Sequence, residues 1–116
     1  MKSSVGLDRQ GDVVVLRLVG DFHGHEGVLS EALGGIVSSG DRRAVIDFTH
    51  CRFLGSAALG ELLEFKRALR SGGGDVKVTG VPAPRNRATP PNQPFFEQYG
   101  TAAEAVASFH EARPFP

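Results

Sequence analysis

A single hydroxyl, Ser56, stands in the stretch RFLGSAALG, Arg52 to Gly60, after a β-branched run and before a leucine-rich one. Where a strand hands over to a helix, a hydroxyl can cap the helix by accepting a first-turn amide hydrogen bond, an effect of about 1 kcal/mol. Four further residues could do chemistry, His23, His25, His50 and Cys51, because the loops after the second and third strands lead to the same sheet edge as Ser56. His-Gly-His followed by His-Cys lacks the tight spacing of a Cys-x-x-Cys ligand set, so these read as solvated loop histidines. Cys51 reads as a small buried hydrophobe, with no base in the sequence paired to it. Asp47, at a strand end, reads as a turn-capping carboxylate. No Ser-His-Asp order, glycine-rich phosphate loop or zinc-protease helix is present, and SGGGD at Ser71 to Asp75 follows a helix, as a C-cap and turn does. Metal: none; cofactor: none; catalytic residue: none.

The elements that must position Ser56 follow from hydrophobic periodicity. Asp12 to Gly20, DVVVLRLVG, is a β-branched strand after a turn at Gln10 and Gly11, with SVGLDR as its hairpin partner. From His25 to Ser38 the apolar positions Val28, Leu29, Ala32, Leu33, Ile36 and Val37 recur at helical spacing, with Gly34 and Gly35 as weak points and Gly40 as a stop. RAVIDF, Arg43 to Phe48, is a buried strand. The segment starting at Ser56 carries Ala58, Leu59, Leu62, Leu63 and Leu69 on one stripe of a helix, with basic residues near its end. Asp75 to Val81 alternates as a strand, FFEQY is a short fifth strand, and Thr101 and Glu104 are spaced as the capping box of a last helix. Pro82 to Pro94 holds five prolines, which predicts an extended loop with at most one turn around Arg85 to Ala88. The predicted fold is α/β, one domain over residues 1–110 with a mixed central sheet of four to five strands and about three amphipathic helices, followed by a frayed tail at 111–116.

Composition narrows the function classes. Thirteen Lys and Arg balance thirteen Asp and Glu, so no net field draws the chain to nucleic acid or to an anionic membrane. One cysteine forms no internal disulfide, MKSSVGLDRQGD lacks the apolar core of a signal peptide, and no run reaches the roughly 20 apolar residues of a membrane span. The expected setting is the cytoplasm, with any membrane role exercised through a partner.

The pattern AVIDFTHCRFLGSAALGELLEFKRALRSGGGDVKVTGV resembles the STAS domain of bacterial anti-sigma factor antagonists, and the resemblance extends over roughly residues 5 to 110. In that family a strand ends in Asp-Leu-Ser, and a loop phenylalanine precedes Asp-Ser-Ser-Gly-Leu-Gly at the start of a long helix. Here Asp47 and Phe48 match the strand end, Phe53 the loop residue, Ser56 the first serine, and Leu59 and Gly60 the Leu-Gly; GDF at Gly20 to Phe22 is similar to the Gly-Glu-Leu that ends the second strand. Gly55 stands in place of the motif aspartate, Ala57 and Ala58 in place of the second serine and the glycine, and His23 in place of an acidic residue. The proline-rich segment replaces a helix the family usually forms.

The resemblance implies a non-enzymatic regulatory module of transcription signalling that binds a protein partner, a serine kinase acting as anti-sigma factor, and that phosphorylation at Ser56 switches. The implied partner surface is His50, Arg52, Phe53, Leu54, Gly55, Ala57, Ala58 and Leu59, whose small residues around the serine form a flat, uncharged patch. Direct contact with nucleic acid or membrane is not expected, and a homodimer is left open. The alternative is a STAS-like accessory subunit that clips onto a transporter's cytoplasmic ATPase or membrane component, without phospho-regulation.

Overall fold

The computed structural model describes residues 3–24, 26–81 and 96–110. Along the chain lie β1 (Ser4–Gln10), β2 (Val13–Phe22), α1 (Gly27–Ser38), β3 (Arg43–Leu54), α2 (Ser56–Ser71), β4 (Asp75–Thr79), β5 (Glu97–Tyr99) and α3 (Ala102–His110). The five strands form one sheet in the order β1-β2-β3-β4-β5. β1 and β2 are an antiparallel hairpin around Gly11 and Asp12, while β2, β3, β4 and β5 run parallel. The expected α/β architecture with a mixed sheet is thus observed, with five strands and three helices.

The run VVVL at the start of β2 is apolar at every position because both faces of the sheet are covered there. Side chains alternate across a strand. Val14, Leu16 and Leu18 therefore join Phe22, Ala44, Ile46, Val76 and Val78 under α1 and α2, whereas Val13, Val15 and Val45 meet Ala105 and Val106 of α3 on the opposite face. α1 turns Leu29, Leu33 and Ile36 to the sheet, and α2 turns Ala58, Leu62, Phe65 and Leu69. That spacing is a single helical stripe. Leu59 and Leu63, expected on the same stripe, sit half-buried at its edge, and Phe65 takes the central place.

On the α3 face β4 places Lys77, only 4% exposed. Its Nζ donates to Ser108 Oγ at 2.7 Å, lies 3.7 Å from Glu97 Oε1, and stands 4.2 Å from the Phe109 ring centroid. A buried ammonium needs such partners. The α3 start carries the anticipated cap, with Glu104 N–H donating to Thr101 Oγ1 at 3.1 Å; the glutamate in turn accepts from Gly100 N–H at 3.2 Å, one residue earlier than a capping box requires. At the other end His110 Nε2 is 2.8 Å from Asp12 Oδ1 and ties α3 to the hairpin turn.

Several expected bounds need revision. β2 runs on to Phe22 instead of ending at Gly20, and β4 ends at Thr79 instead of Val81. α1 begins at Gly27 with Glu26 at its N-cap position, whereas the periodic segment of the sequence starts at residue 25. β3 does not stop at Phe48 but continues for six more residues to Leu54, because β2 is long enough to keep pairing with it. The proline-rich loop, His25 and the C-terminal tail lie outside the described residues.

Candidate functional site

The extended end of β3 departs from regular pairing twice. Arg17 pairs with Asp47 and Val19 with His50, so β3 spends one residue more than β2; the same happens between Gly20–Cys51 and Asp21–Phe53. Such bulges re-aim side chains and raise the local twist. Asp47 supports the first, its Oδ1 accepting from Thr49 N–H at 2.9 Å; it does so inside a continuing strand and not at the strand end where the sequence placed it. Together they turn the strand so that Arg52 and Phe53 point out beside the first turn of α2, both exposed.

β3 hands over to α2 through Gly55. Its N–H donates to Phe22 O at 2.7 Å, still in the manner of a strand, and its carbonyl accepts from Leu59 N–H at 2.9 Å, the first bond of the helix. Gly55, in extended conformation, is therefore the N-cap residue, and no side chain caps α2. Ser56 is the first helical residue, not the cap. Relieved of that duty, its hydroxyl is solvent-exposed at the helix N-terminus. No acidic side chain occupies the first turn, so the positive end of the dipole is not neutralised locally.

Around Ser56 the surface is apolar and aromatic. Phe53 is 49% exposed, and its ring centroid lies 5.0 Å from that of His23. A Cβ placed on Gly55 would come within 3.2 Å of the Phe53 ring and 3.5 Å of the His23 carbonyl oxygen. The aromatic thus leans over Gly55, the position where the resemblance leads one to expect an aspartate. The turn after β2 presses still closer: Gly24 has φ +108°, and a Cβ there would lie 2.3 Å from the Ala57 Cβ. Glu26 holds that turn by accepting from His23 N–H at 2.8 Å and Gly24 N–H at 3.0 Å. These backbone bonds, His23 first, hold its carboxyl below the usual range. Glu26 was missed at the sequence level, where Glu three residues after His23 carried no recognisable signal.

The expected partner surface is only partly assembled. His50, Arg52, Phe53 and Ala57 are exposed, and Leu54, Gly55 and Leu59 are half-buried. Ala58 is fully buried in the same core cluster as Phe22 and Leu62, and so it is a core residue instead of a contact. Beside Phe53 a groove of about 240 Å³ runs between Phe48, Leu54, Leu59 and Phe96. Cys51 lines it, with Sγ 3.5 Å from Phe53 O, and burial pushes its thiol pKa up. Among the described residues no group of three or more His, Cys, Asp or Glu side chains is gathered as a metal would require.

A family model described as "Mlab, STAS domain" matches residues 5–102 of this chain. The chain is a STAS domain. The anti-sigma factor antagonist SpoIIAA in its unphosphorylated form is similar at 20% identity and TM-score 0.74, over 94% of this STAS domain and 100% of that chain. An anti-sigma factor antagonist from Mycobacterium paratuberculosis aligns at 22% identity and TM-score 0.76, over 95% and 96%. The phosphorylated form of SpoIIAA, a Bacillus cell fate determinant, aligns at 20% identity and TM-score 0.67, over 91% and 99%. These likenesses establish a SpoIIAA-like fold, as the sequence pattern suggested. No curated protein sequence matches the STAS domain. No helix among the described residues is long and apolar enough to cross a membrane.

Proposed function

We propose that this STAS domain is a non-enzymatic docking module of the anti-sigma factor antagonist type, engaging a serine kinase through Arg52, Phe53, Leu54, Gly55 and the first turn of α2. The observation that carries the reading is Ser56, an exposed hydroxyl relieved of capping by Gly55 and set beside an exposed phenylalanine. In the switch, Ser56 Oγ attacks the γ-phosphorus of ATP, ADP leaves and the hydroxyl proton passes to solvent or a kinase base. The phosphate adds about −1.5 to −2 charges, which the first-turn amides of α2 accommodate without unfolding anything. A partner packed on Phe53 and His23 would have to bury that charge, so binding weakens. Incubation of the STAS domain with the kinase co-purified from its native cells and ATP should yield a phosphopeptide spanning Phe53 to Lys66, absent from Ser56→Ala. Unmodified Ser56 with full partner binding would remove the switch and leave the docking role.

A second reading, an accessory subunit of a transporter complex docked without phosphate control, draws support from Gly55. Phe53 leans over the place of the motif aspartate, within 3.2 Å of where a Cβ would stand, which supports an uncharged and permanent contact. In that case Ser56→Asp leaves complex formation unchanged and Phe53→Ala weakens it.

A further inference from the structure

α1 is short of charge for a helix on a protein surface. Its twelve residues include one ionisable side chain, Glu31. With Leu29, Leu33 and Ile36 turned to the sheet, Val37, 42% exposed, stands on the flank toward α2, while Val28, nine residues earlier and 38% exposed, lies on the opposite flank. Gly34 and Gly35 lie between them, and an added Cβ on either would meet nothing within 4 Å. Outer faces of surface helices are ordinarily polar, and glycines inside a helix weaken it relative to alanine.

Alongside α2 the Val37 flank opens into a groove of about 480 Å³, floored by Leu33 and Phe65 and walled by Gly34, Val37, Ala68 and Glu61. The two ionic residues on its rim, Glu61 and Glu64, are both acidic. Glu64 has Arg67 at 3.7 Å. Glu61 accepts from Ser30 Oγ at 3.4 Å through Oε2, whereas its Oε1 is buried and has no hydrogen-bond partner among the described residues. Oε1 is closed to solvent, so an incoming cation would meet the half-buried Glu61 as a whole carboxylate and not through that atom; a carboxylate accepts most strongly from cations.

We propose that the α1–α2 groove receives an amphipathic helix of a protein partner, whose apolar stripe carries one lysine or arginine directed at Glu61. An apolar floor with a glycine-lined wall lets a helix backbone come close, in the helix-in-groove mode of recognition. The acidic rim selects a cation and disfavours an anionic membrane surface. A second copy of this chain fits less well through α1, which holds no basic residue to meet Glu61. The site lies further along α2 than Ser56 and does not depend on the docking role proposed there.

The probe is a synthetic helical peptide of about 18 residues, five turns, with a Leu/Ala stripe and one central lysine. It is titrated into isotope-labelled protein, and backbone amide shifts are followed. Shifts should centre on Ser30, Gly34, Val37 and Ala68. Glu61→Gln should weaken binding at least about tenfold, as loss of a charged hydrogen bond does, and the same peptide with glutamate for lysine should not bind. Gly34→Leu, built into open space, should block the groove; Val37→Lys provides a second, charge-based block should the first variant fold less well. Ser56→Asp should leave peptide binding unchanged. Absence of binding, shifts centred on Phe53 to Leu59, affinity indifferent to Glu61→Gln, or self-association seated on these amides would each overturn the proposal.

Discussion

Replacing Gly24 with alanine tests whether the turn after β2 and the first turn of α2 are locked together. A Cβ on Gly24 would lie 2.3 Å from the Ala57 Cβ and 2.8 Å from both the Ala57 carbonyl carbon and the Ala58 amide nitrogen. Two of these atoms are backbone, so no rotamer change relieves the contact. Alanine must also adopt φ +108°, in the region that costs an L-residue roughly 1–2 kcal/mol. Forcing a methyl into a packed contact adds typically about 1–3 kcal/mol. The two costs give a loss on the order of 2–5 kcal/mol, or a melting temperature lower by about 10 °C or more for a domain of this size. Since relaxation must open the gap between the turn and α2, the His23–Phe53 contact should loosen as well. Thermal and urea unfolding followed by circular dichroism measures the first effect, and amide shifts of Phe53 to Ser56 the second. A variant melting within about 2 °C of the parent, with those shifts unchanged, would refute the reasoning.

Gly34→Ala is the converse case: with nothing within 4 Å of the new methyl, it should raise stability by roughly 0.5–1 kcal/mol, read as a higher urea midpoint at unchanged slope. Acid titration should expose Asp12 and Glu26, whose pKa values are lowered by the His110 hydrogen bond and by the His23 backbone bond respectively. A depressed carboxylate stabilises the fold above its unfolded pKa and loses that contribution as pH falls through the folded value. The stability of the parent should therefore fall below about pH 4, and Asp12→Asn with Glu26→Gln should flatten this part of the profile; an unchanged acid limb would contradict it. Cys51, its thiol pKa raised by burial, should react with an alkylating reagent at pH 8 well below the rate of the urea-unfolded chain, and equal rates would show an accessible thiolate.

The order of strands and helices was legible because each element buries a face whose period matches it. The β-branched run of β2 announced a strand, and Ala58, Leu62 and Leu69 announced the α2 stripe; the cover on both faces of VVVL came from the packing of α3 opposite α1 and α2. What periodicity could not carry was pairing. THCRFL has no alternation marking a strand, and it is one only because β2 extends beside it and two bulges absorb the surplus residues. For the same reason Phe65 was passed over: aromatic residues at a stripe centre and at its margin look alike until the opposing sheet is in place.

The site shows a different limit. Sequence alone made Ser56 a natural cap, since serine is a favoured N-cap and glycine a weaker one. The Gly55 N–H bond to Phe22 O decides otherwise, because it keeps the chain extended through residue 55 and moves the helix start to Ser56. That single backbone bond frees the hydroxyl from capping, while Ala58 two residues on stays buried on the α2 stripe. Lengthening the strand by one pairing thus fixes which side chain of GSAA faces solvent. It follows that Gly55→Pro, which deletes the donor and sets a Cβ 3.2 Å from the Phe53 ring, should bring Ser56 toward a capping role and lower its accessibility to a kinase even though the serine itself is untouched, and Gly55→Ala, which adds the Cβ but keeps the donor, should not.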